Sequence, residues 1–261
     1  AYKWLGRIPG GLAVATVVAS TVLAAMVGGI GAAVVTMALV ALPSMLRRGY
    51  SPVLAVGTVM AGGTLGILIP PSVLAIVYGL VANQSVGELY LGSVFPGLVL
   101  SGLYILFSVG YALLNPKAAP RLSPEETPTW SERWRALRSI WSPLVLIFLV
   151  LGTIFLGLAA PTEAAAIGAF GAMVVAAIHR RLSWTILRLA LEQTAKATAM
   201  VMWTVFGANA FVGFYIAQGG DRYVSELLLG TGLSPWGILL LMQGILIVLG
   251  MFLDWVGILL L

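Results

Sequence analysis

Apolar residues run along this chain in long blocks that are separated by short polar or basic segments. Residues 8–46, 52–82 and 89–114 contain no charged side chain. A helix that crosses the hydrocarbon core of a bilayer needs about 20 apolar residues. Blocks of this length do not show the two-residue alternation of a membrane β-barrel. The pattern therefore predicts an all-α integral membrane protein.

The first block is interrupted by Gly28-Gly29-Ile30-Gly31, which leaves arms at 10–27 and 32–45. The second arm, with about 14 residues, is short for a full crossing. Basic residues flank both ends of the block, which places both ends on the cytoplasmic side. We therefore predict a re-entrant hairpin over 10–45, with its glycine tip at membrane depth.

The second block, 52–82, is interrupted in its middle by the sequence GGTLGILIPPS at 62–72. Proline removes a backbone donor and disfavours helical geometry in the residue before it, so several carbonyls near 65–69 lose their helical partners. Each unpaired group in hydrocarbon costs on the order of kilocalories per mole. A sodium ion held by carbonyls and by the hydroxyls of Thr64 and Ser72 would compensate. A proline kink satisfied by neighbouring helices is the alternative, as a tight small-residue helix contact is for the glycine tip.

The later blocks predict a second half of similar design. In chain order we expect a span at 89–114, a cytoplasmic linker at 115–141, spans at 142–160 and 161–178, an interfacial helix at 183–196, a span at 197–217 and a second re-entrant hairpin at 234–261, interrupted at 250–254. In this arrangement, all but one of the 14 lysines and arginines lie on the inner side, the exception being Arg222. The hairpins then open to opposite sides, which predicts inverted repeats at 1–114 and 142–261.

Composition narrows the classes of function. The chain is 60% hydrophobic and 9% charged, whereas soluble domains carry about a quarter charged residues. Cysteine is absent, which excludes disulfides and thiolate metal sites. Asp254 is the one acid well inside an apolar run, and it is either an ion ligand or a helix cap. An intramembrane enzyme would need a second catalytic group, so a channel or pore subunit and a scaffold membrane subunit are the stronger alternatives to a transporter.

Several segments resemble the large membrane subunit of the tripartite ATP-independent periplasmic (TRAP) transporters. They cover most of the chain in order: GGLAVATVVASTVLAAMVGG, ALPSMLRRGY, AGGTLGILIPPS, SVGELYLGSVFPGL, LAAPTEAAAIGAFGAM, RRLSW and GLSPWGILLLMQGILIVLGMFLDW. The resemblance implies a secondary transporter rather than an enzyme. It implies sodium-coupled uptake of an organic acid across the bacterial cytoplasmic membrane by an elevator motion, in a fold of the ion-transporter type. The implied partners are a small membrane subunit and a periplasmic solute-binding protein, and Na+ is the only metal or cofactor expected.

The resemblance also implies two sodium sites. The first would use carbonyls of the broken helix opposite the first hairpin tip, and the second would use the second hairpin: Gly66, Ile69, Pro71, Thr64, Gly28, Gly29 and Gly31 for the first; Gly250, Trp255 and Asp254 for the second. Many members of the family have a Ser-Gly-Ser-Ser tip, so a Gly-Gly-Ile-Gly tip would have to bind the ion mostly through its backbone. We further expect the chain to be a piece of a longer protein, without both ends and without the second broken helix.

Overall fold

The computed structural model describes residues 8–120, 134, 141–253 and 255–260, and these residues form helices joined by short turns. The chain divides into two units, Ala1–Arg181 and Leu182–Leu261. The helices of the first unit are α1 (Gly11–Val27), α2 (Ile30–Arg47), α3 (Pro52–Leu68), α4 (Val73–Val81), α5 (Val86–Leu114), α6 (Trp141–Phe155) and α7 (Pro161–Ile178). Those of the second unit are α8 (Trp184–Ala217), α9 (Gly220–Gly230), α10 (Pro235–Gly250) and α11 (Trp255–Leu260).

Within the described ranges, five stretches are long and apolar enough to cross a membrane: Ile30–Arg47, Pro52–Val81, Val86–Leu114, Pro161–Ile178 and Trp184–Ala217. Three apolar helices are shorter: Gly11–Val27, Trp141–Phe155 and Pro235–Gly250. The predicted all-α class is therefore confirmed. Most of the predicted linker at 115–141 lies outside the described residues.

Serine hydroxyls set where several of these helices begin. A serine precedes the first helical residue and accepts a hydrogen bond from the amide three residues later, which satisfies a donor that has no partner inside the helix. The pairs are Ser51 with Leu54, Ser72 with Ala75, Ser85 with Glu88, Ser183 with Ile186 and Ser234 with Gly237. Proline follows Ser51 and Ser234 directly, at a helical position that needs no donor.

The turn between α1 and α2 is shorter than the sequence predicted. Gly28 ends α1 in a left-handed conformation (φ 65°), and the next helix begins at Ile30. The second arm therefore runs over 18 residues to Arg47, and the predicted arm at 32–45 was too short at both ends. An arm of this length does not by itself indicate re-entry. The prediction of a hairpin that enters and leaves the membrane on one side therefore depends on the basic residues at its flanks alone.

Helix α3 lies at the centre of the first unit, packed against α1, α2 and α5. Two glycines allow its close approach to the hairpin. A Cβ atom on Gly62 would lie 2.5 Å from Ser20 Oγ, and a Cβ atom on Gly63 would overlap the side chain of Val34. Small residues let helix backbones approach closely where lipid supplies no hydrophobic driving force between helices.

The loop between α2 and α3 joins three helices at one end of the unit. Tyr50, which is 4% exposed, accepts a hydrogen bond at its hydroxyl from the Leu12 amide in the first turn of α1, at 3.1 Å. Gly10 precedes that helix and has no side chain to cap it. The amide of Ser51 donates to the carbonyl of Ala118, just beyond α5, at 2.9 Å. The loop therefore fixes α1, α3 and α5 to one another.

In the second unit, one helix replaces two predicted elements. The interfacial helix at 183–196 and the span at 197–217 form the continuous 34-residue helix α8. At a rise of 1.5 Å per residue, it is about 51 Å long, which exceeds the roughly 30 Å hydrocarbon core. Its charged N-terminal part carries an exposed ion pair between Arg188 and Glu192 at 2.7 Å. A change in polarity along the helix was thus mistaken for a break in its backbone.

We expect Tyr50→Phe to destabilise the protein, because it leaves the buried Leu12 amide without its acceptor. The loss should be about 1–3 kcal/mol in free energy of unfolding, seen as a lower Tm of the purified full-length protein in detergent. Tyr111→Phe is the matched control, since that ring packs on the same cluster and its hydroxyl bonds to no other described residue. Equal melting of Tyr50→Phe and wild type would contradict the capping role.

The same contact has a pH dependence. Burial raises the pKa of the Tyr50 phenol above its ordinary 10.0, against the lowering influence of the Leu12 amide and of Arg48. A raised pKa in the folded state means that the contribution to stability is complete below pH 10 and is lost as the pH rises above it. The difference in Tm between wild type and Tyr50→Phe should therefore shrink when melting is measured above that pH. A difference that widens there would contradict the burial of a neutral phenol.

Candidate functional site

The candidate site begins at the break between α3 and α4. Helix α3 ends at Leu68 and α4 starts at Val73; Ile69 and Ser72 between them are extended, and the Pro70–Pro71 peptide is cis. A helical carbonyl accepts from the amide four residues later. The carbonyls of Gly66 and Ile67 would need the amides of Pro70 and Pro71, and proline has none.

One of these two carbonyls is satisfied by a side chain. The hydroxyl of Ser72 makes a short hydrogen bond to the carbonyl of Ile67 and also accepts from the Ala75 amide at 3.4 Å. The carbonyl of Ser72 accepts in turn from the hydroxyl of Tyr90, on α5, at 3.4 Å. The break is thus bridged by Ser72, while the carbonyl of Gly66 keeps no amide four residues on.

The glycine tip packs directly against this break. The Val73 amide donates to the carbonyl of Gly28 at 3.2 Å. A Cβ atom on Gly28 would lie 2.8 Å from the carbonyl oxygen of Pro71, and a Cβ atom on Gly66 would lie 2.9 Å from the carbonyl oxygen of Gly29. The structure therefore brings Gly28, Gly29, Gly66 and Pro71 together through their backbones, with no room for a side chain between them.

Four helix ends meet at this contact. Helices α1 and α3 bring their C-terminal ends, which carry partial negative charge, and α2 and α4 bring their N-terminal ends, which carry partial positive charge. Gly28 and Gly66 are buried, and Gly31 is exposed. Backbone oxygens and C-terminal ends suit a cation, and exposed helix N-termini suit an anion such as a carboxylate.

Two residues predicted for the first site, Thr64 and Gly31, stand apart from the contact in the structure, whereas Ile69 is the first residue of the break. The hydroxyl of Thr64 donates to the Ala61 carbonyl at 2.7 Å and lies 3.2 Å from the hydroxyl of Tyr104, so it faces α5. Ile69 closes α3 with its amide, which donates to Leu65 at 2.9 Å. A Cβ atom on Gly31 would meet nothing within 4 Å.

The residues predicted for the second site lie in the second unit. Helix α10 ends at Gly250 and α11 begins at Trp255, on either side of a turn. A Cβ atom on Gly250 would lie 3.9 Å from Ile258 of α11, so the two helices are close there. Asp254 lies outside the described residues.

Sequence reasoning missed Tyr90, which is 2% exposed and holds the carbonyl of Ser72. A buried tyrosine usually finds a partner for its hydroxyl, but the sequence alone does not show that this tyrosine is buried. Its partner lies 18 positions away on another element, and no local pattern indicates that contact.

The chain is similar in sequence to known transport proteins. The chain matches the family model of the tripartite ATP-independent periplasmic transporter DctM component over residues 1–261. It is 34% identical over 251 residues to the C4-dicarboxylate TRAP transporter large permease protein DctM of Pseudomonas aeruginosa, covering 96% of this chain and 58% of the relative. The DctM protein of Rhodobacter capsulatus is 31% identical over 265 residues, covering 96% and 59%.

A third relative is named for a different solute. The ectoine TRAP transporter large permease protein TeaC of Halomonas elongata is 29% identical over 252 residues, covering 96% of this chain and 58% of that protein. The chain thus spans about three fifths of the length of these three relatives. From the match over its whole length, the chain belongs to the DctM component family of tripartite ATP-independent periplasmic transporters, a family of transport proteins and not of enzymes.

Proposed function

We propose that this chain forms part of the large permease subunit of a sodium-coupled secondary transporter, which takes up an organic acid across the bacterial cytoplasmic membrane. The observation that carries the proposal is the contact between the glycine tip and the broken helix, where carbonyl oxygens of Gly29 and Pro71 point at facing glycines. Sodium prefers oxygen ligands and can be held without a carboxylate by carbonyls at helix C-terminal ends. No acidic side chain is needed for such a cage.

The proposed sodium cage consists of backbone oxygens. Its members are carbonyls of the tip and of the break: Gly28, Gly29, Gly66, Ile69 and Pro71. Gly66 supports this assignment because Pro70 has no amide to donate to its carbonyl. Thr64 is left out of the cage because its hydroxyl faces Tyr104 on α5. A second sodium at Gly250, Asp254 and Trp255 belongs to the same proposal, and it would be completed by a further broken helix.

The substrate proposal rests on the exposed side of the tip and on the names of the relatives. The N-terminal ends of α2 and α4 offer partial positive charge beside the proposed cation, which suits a carboxylate. Relatives are named for C4-dicarboxylates and for ectoine. We propose that a periplasmic solute-binding protein delivers the organic acid, that a small membrane subunit completes the permease, and that two inverted repeats provide elevator-type alternating access.

The coupling is tested by uptake into proteoliposomes that hold the full-length permease with its small subunit and its binding protein. Radiolabelled succinate and ectoine serve as probes, with an inward sodium gradient or an equal potassium gradient. We expect uptake of at least one probe to require sodium and to saturate with the binding protein. Equal flux under both gradients would indicate a passive pore instead, and no flux of any probe in an intact complex would indicate a scaffold role.

Gly66→Ala tests the cage itself. The added Cβ would lie 2.9 Å from the carbonyl oxygen of Gly29, so the tip must move away from the break. We expect the half-saturating sodium concentration for uptake to rise by about tenfold or more, corresponding to about 1.4 kcal/mol. Gly57→Ala is the matched control, because it lies in the same helix and its Cβ would meet nothing within 4 Å. An unchanged sodium dependence in Gly66→Ala would show that the break is not part of the ion site.

Gly28→Ala and Gly31→Ala compare the effect of an added side chain at the two ends of the tip. Gly28 has a φ of +65°, and its Cβ would lie 2.8 Å from the Pro71 oxygen, so alanine is both strained and crowded there. We expect a lower Tm and weaker stabilisation by added sodium chloride relative to choline chloride. Gly31 lies in α2 with free space around it, so alanine there should preserve both or raise the Tm slightly. Identical behaviour of the two variants would contradict the proposed tip geometry.

A further inference from the structure

Ser72 is the point where the two halves of the broken helix are joined. Its hydroxyl donates to the carbonyl of Ile67 in α3 and accepts from the Ala75 amide in α4. Its carbonyl accepts from the hydroxyl of Tyr90 at 3.4 Å. Ser72 is 0% exposed and Tyr90 is 2% exposed, so water cannot replace either bond.

We propose that Ser72 and Tyr90 are positioning residues that set the sodium affinity of the broken helix without touching the ion. This inference rests on the proposed function, since it assigns a role to two side chains behind the proposed carbonyl cage. In this proposal each hydroxyl has a protein partner rather than the ion: Ser72 donates to Ile67, and Tyr90 donates to Ser72.

The segment that joins α3 to α4 is short. Residues 69–71 lie between two fixed points, so their carbonyl directions have little freedom. At the first point the Ile69 amide donates to Leu65 at 2.9 Å. At the second point Ser72 is bonded on its hydroxyl and on its carbonyl, and the Val73 amide donates to Gly28 at 3.2 Å.

A cage made of backbone oxygens depends on such fixed points more than a cage of side chains does. Side-chain ligands can change rotamer to meet an ion, whereas a carbonyl turns only if the backbone turns. Binding that first has to order the backbone loses affinity, and a pre-organised site avoids that cost. Ser72 also satisfies the Ile67 carbonyl, which has lost its helical donor to Pro71.

Tyr90 connects this segment to α5, outside the hairpin and the broken helix. Its ring also lines a cavity of about 340 Å³, together with Met26, Pro71 and side chains of α6 and α7. Phenylalanine would keep that ring packing and remove only the hydroxyl. Tyr90→Phe therefore isolates the hydrogen bond to Ser72 from the filling of the cavity.

The experiment measures sodium-dependent uptake and sodium-dependent thermal stabilisation of the full-length permease, with sodium chloride titrated against choline chloride. We expect Tyr90→Phe and Ser72→Ala to raise the half-saturating sodium concentration about tenfold, the scale of one lost buried hydrogen bond. The maximal uptake rate at saturating sodium should change far less. Ser72→Thr keeps the hydroxyl and should lie closer to wild type than Ser72→Ala does.

Tyr78→Phe is the control, since Tyr78 is an exposed tyrosine on α4; its sodium response should match wild type. A lower Tm in Tyr90→Phe with an unchanged half-saturating sodium concentration would overturn the positioning role and leave a structural one. If Ser72→Ala fails to fold, Tyr90→Phe alone decides. If wild type itself shows no response to sodium, both the proposed function and this inference are wrong. If wild type responds to sodium and Tyr90→Phe responds equally, only this inference is wrong.

Discussion

The need to satisfy backbone polar groups away from water governs the first unit of this protein. Pro70 and Pro71 remove two amide donors from an apolar helix, and hydrocarbon offers no replacement for them. Neighbouring residues compensate for this loss with hydrogen bonds of their own. Ser72 takes the carbonyl of Ile67, Tyr90 takes the carbonyl of Ser72, and Gly28 accepts from the Val73 amide. The hairpin tip and α5 are held where they are because the broken helix needs their donors and acceptors.

Glycine complements proline in this arrangement. The tip can reach the break because Gly28 adopts a left-handed conformation and Gly66 leaves its facing surface bare. Ser20 against Gly62 extends the same close contact along α1 and α3. A Cβ atom at Gly28 or Gly66 would press on a carbonyl oxygen across the contact, so the two backbones would have to move apart. The contact therefore requires positions without side chains as well as the backbone groups that meet there.

The tip and the break were readable from sequence because glycine and proline act on their own backbone, through φ and through a missing donor. Helix ends were less readable, since a helix can continue past its apolar run, as α2 does to Arg47. Helix α8 continues through its charged part because no glycine or proline interrupts residues 184–206. Tyr90 and Thr64 could not be assigned, because the first bonds to a residue 18 positions away and the second turns its hydroxyl back to its own helix.

The loop around Tyr50 has a consequence for how ions would be released. It ties α1, α3 and α5 at one end, while the glycine tip ties α1, α3 and α4 at the other. In the elevator motion proposed above, helices joined at both ends would move as one rigid group and keep their internal distances. The intrinsic affinity for an ion would then be the same on both faces of the membrane. Net transport would follow from the two concentrations and the membrane voltage, with no distortion of the cage required.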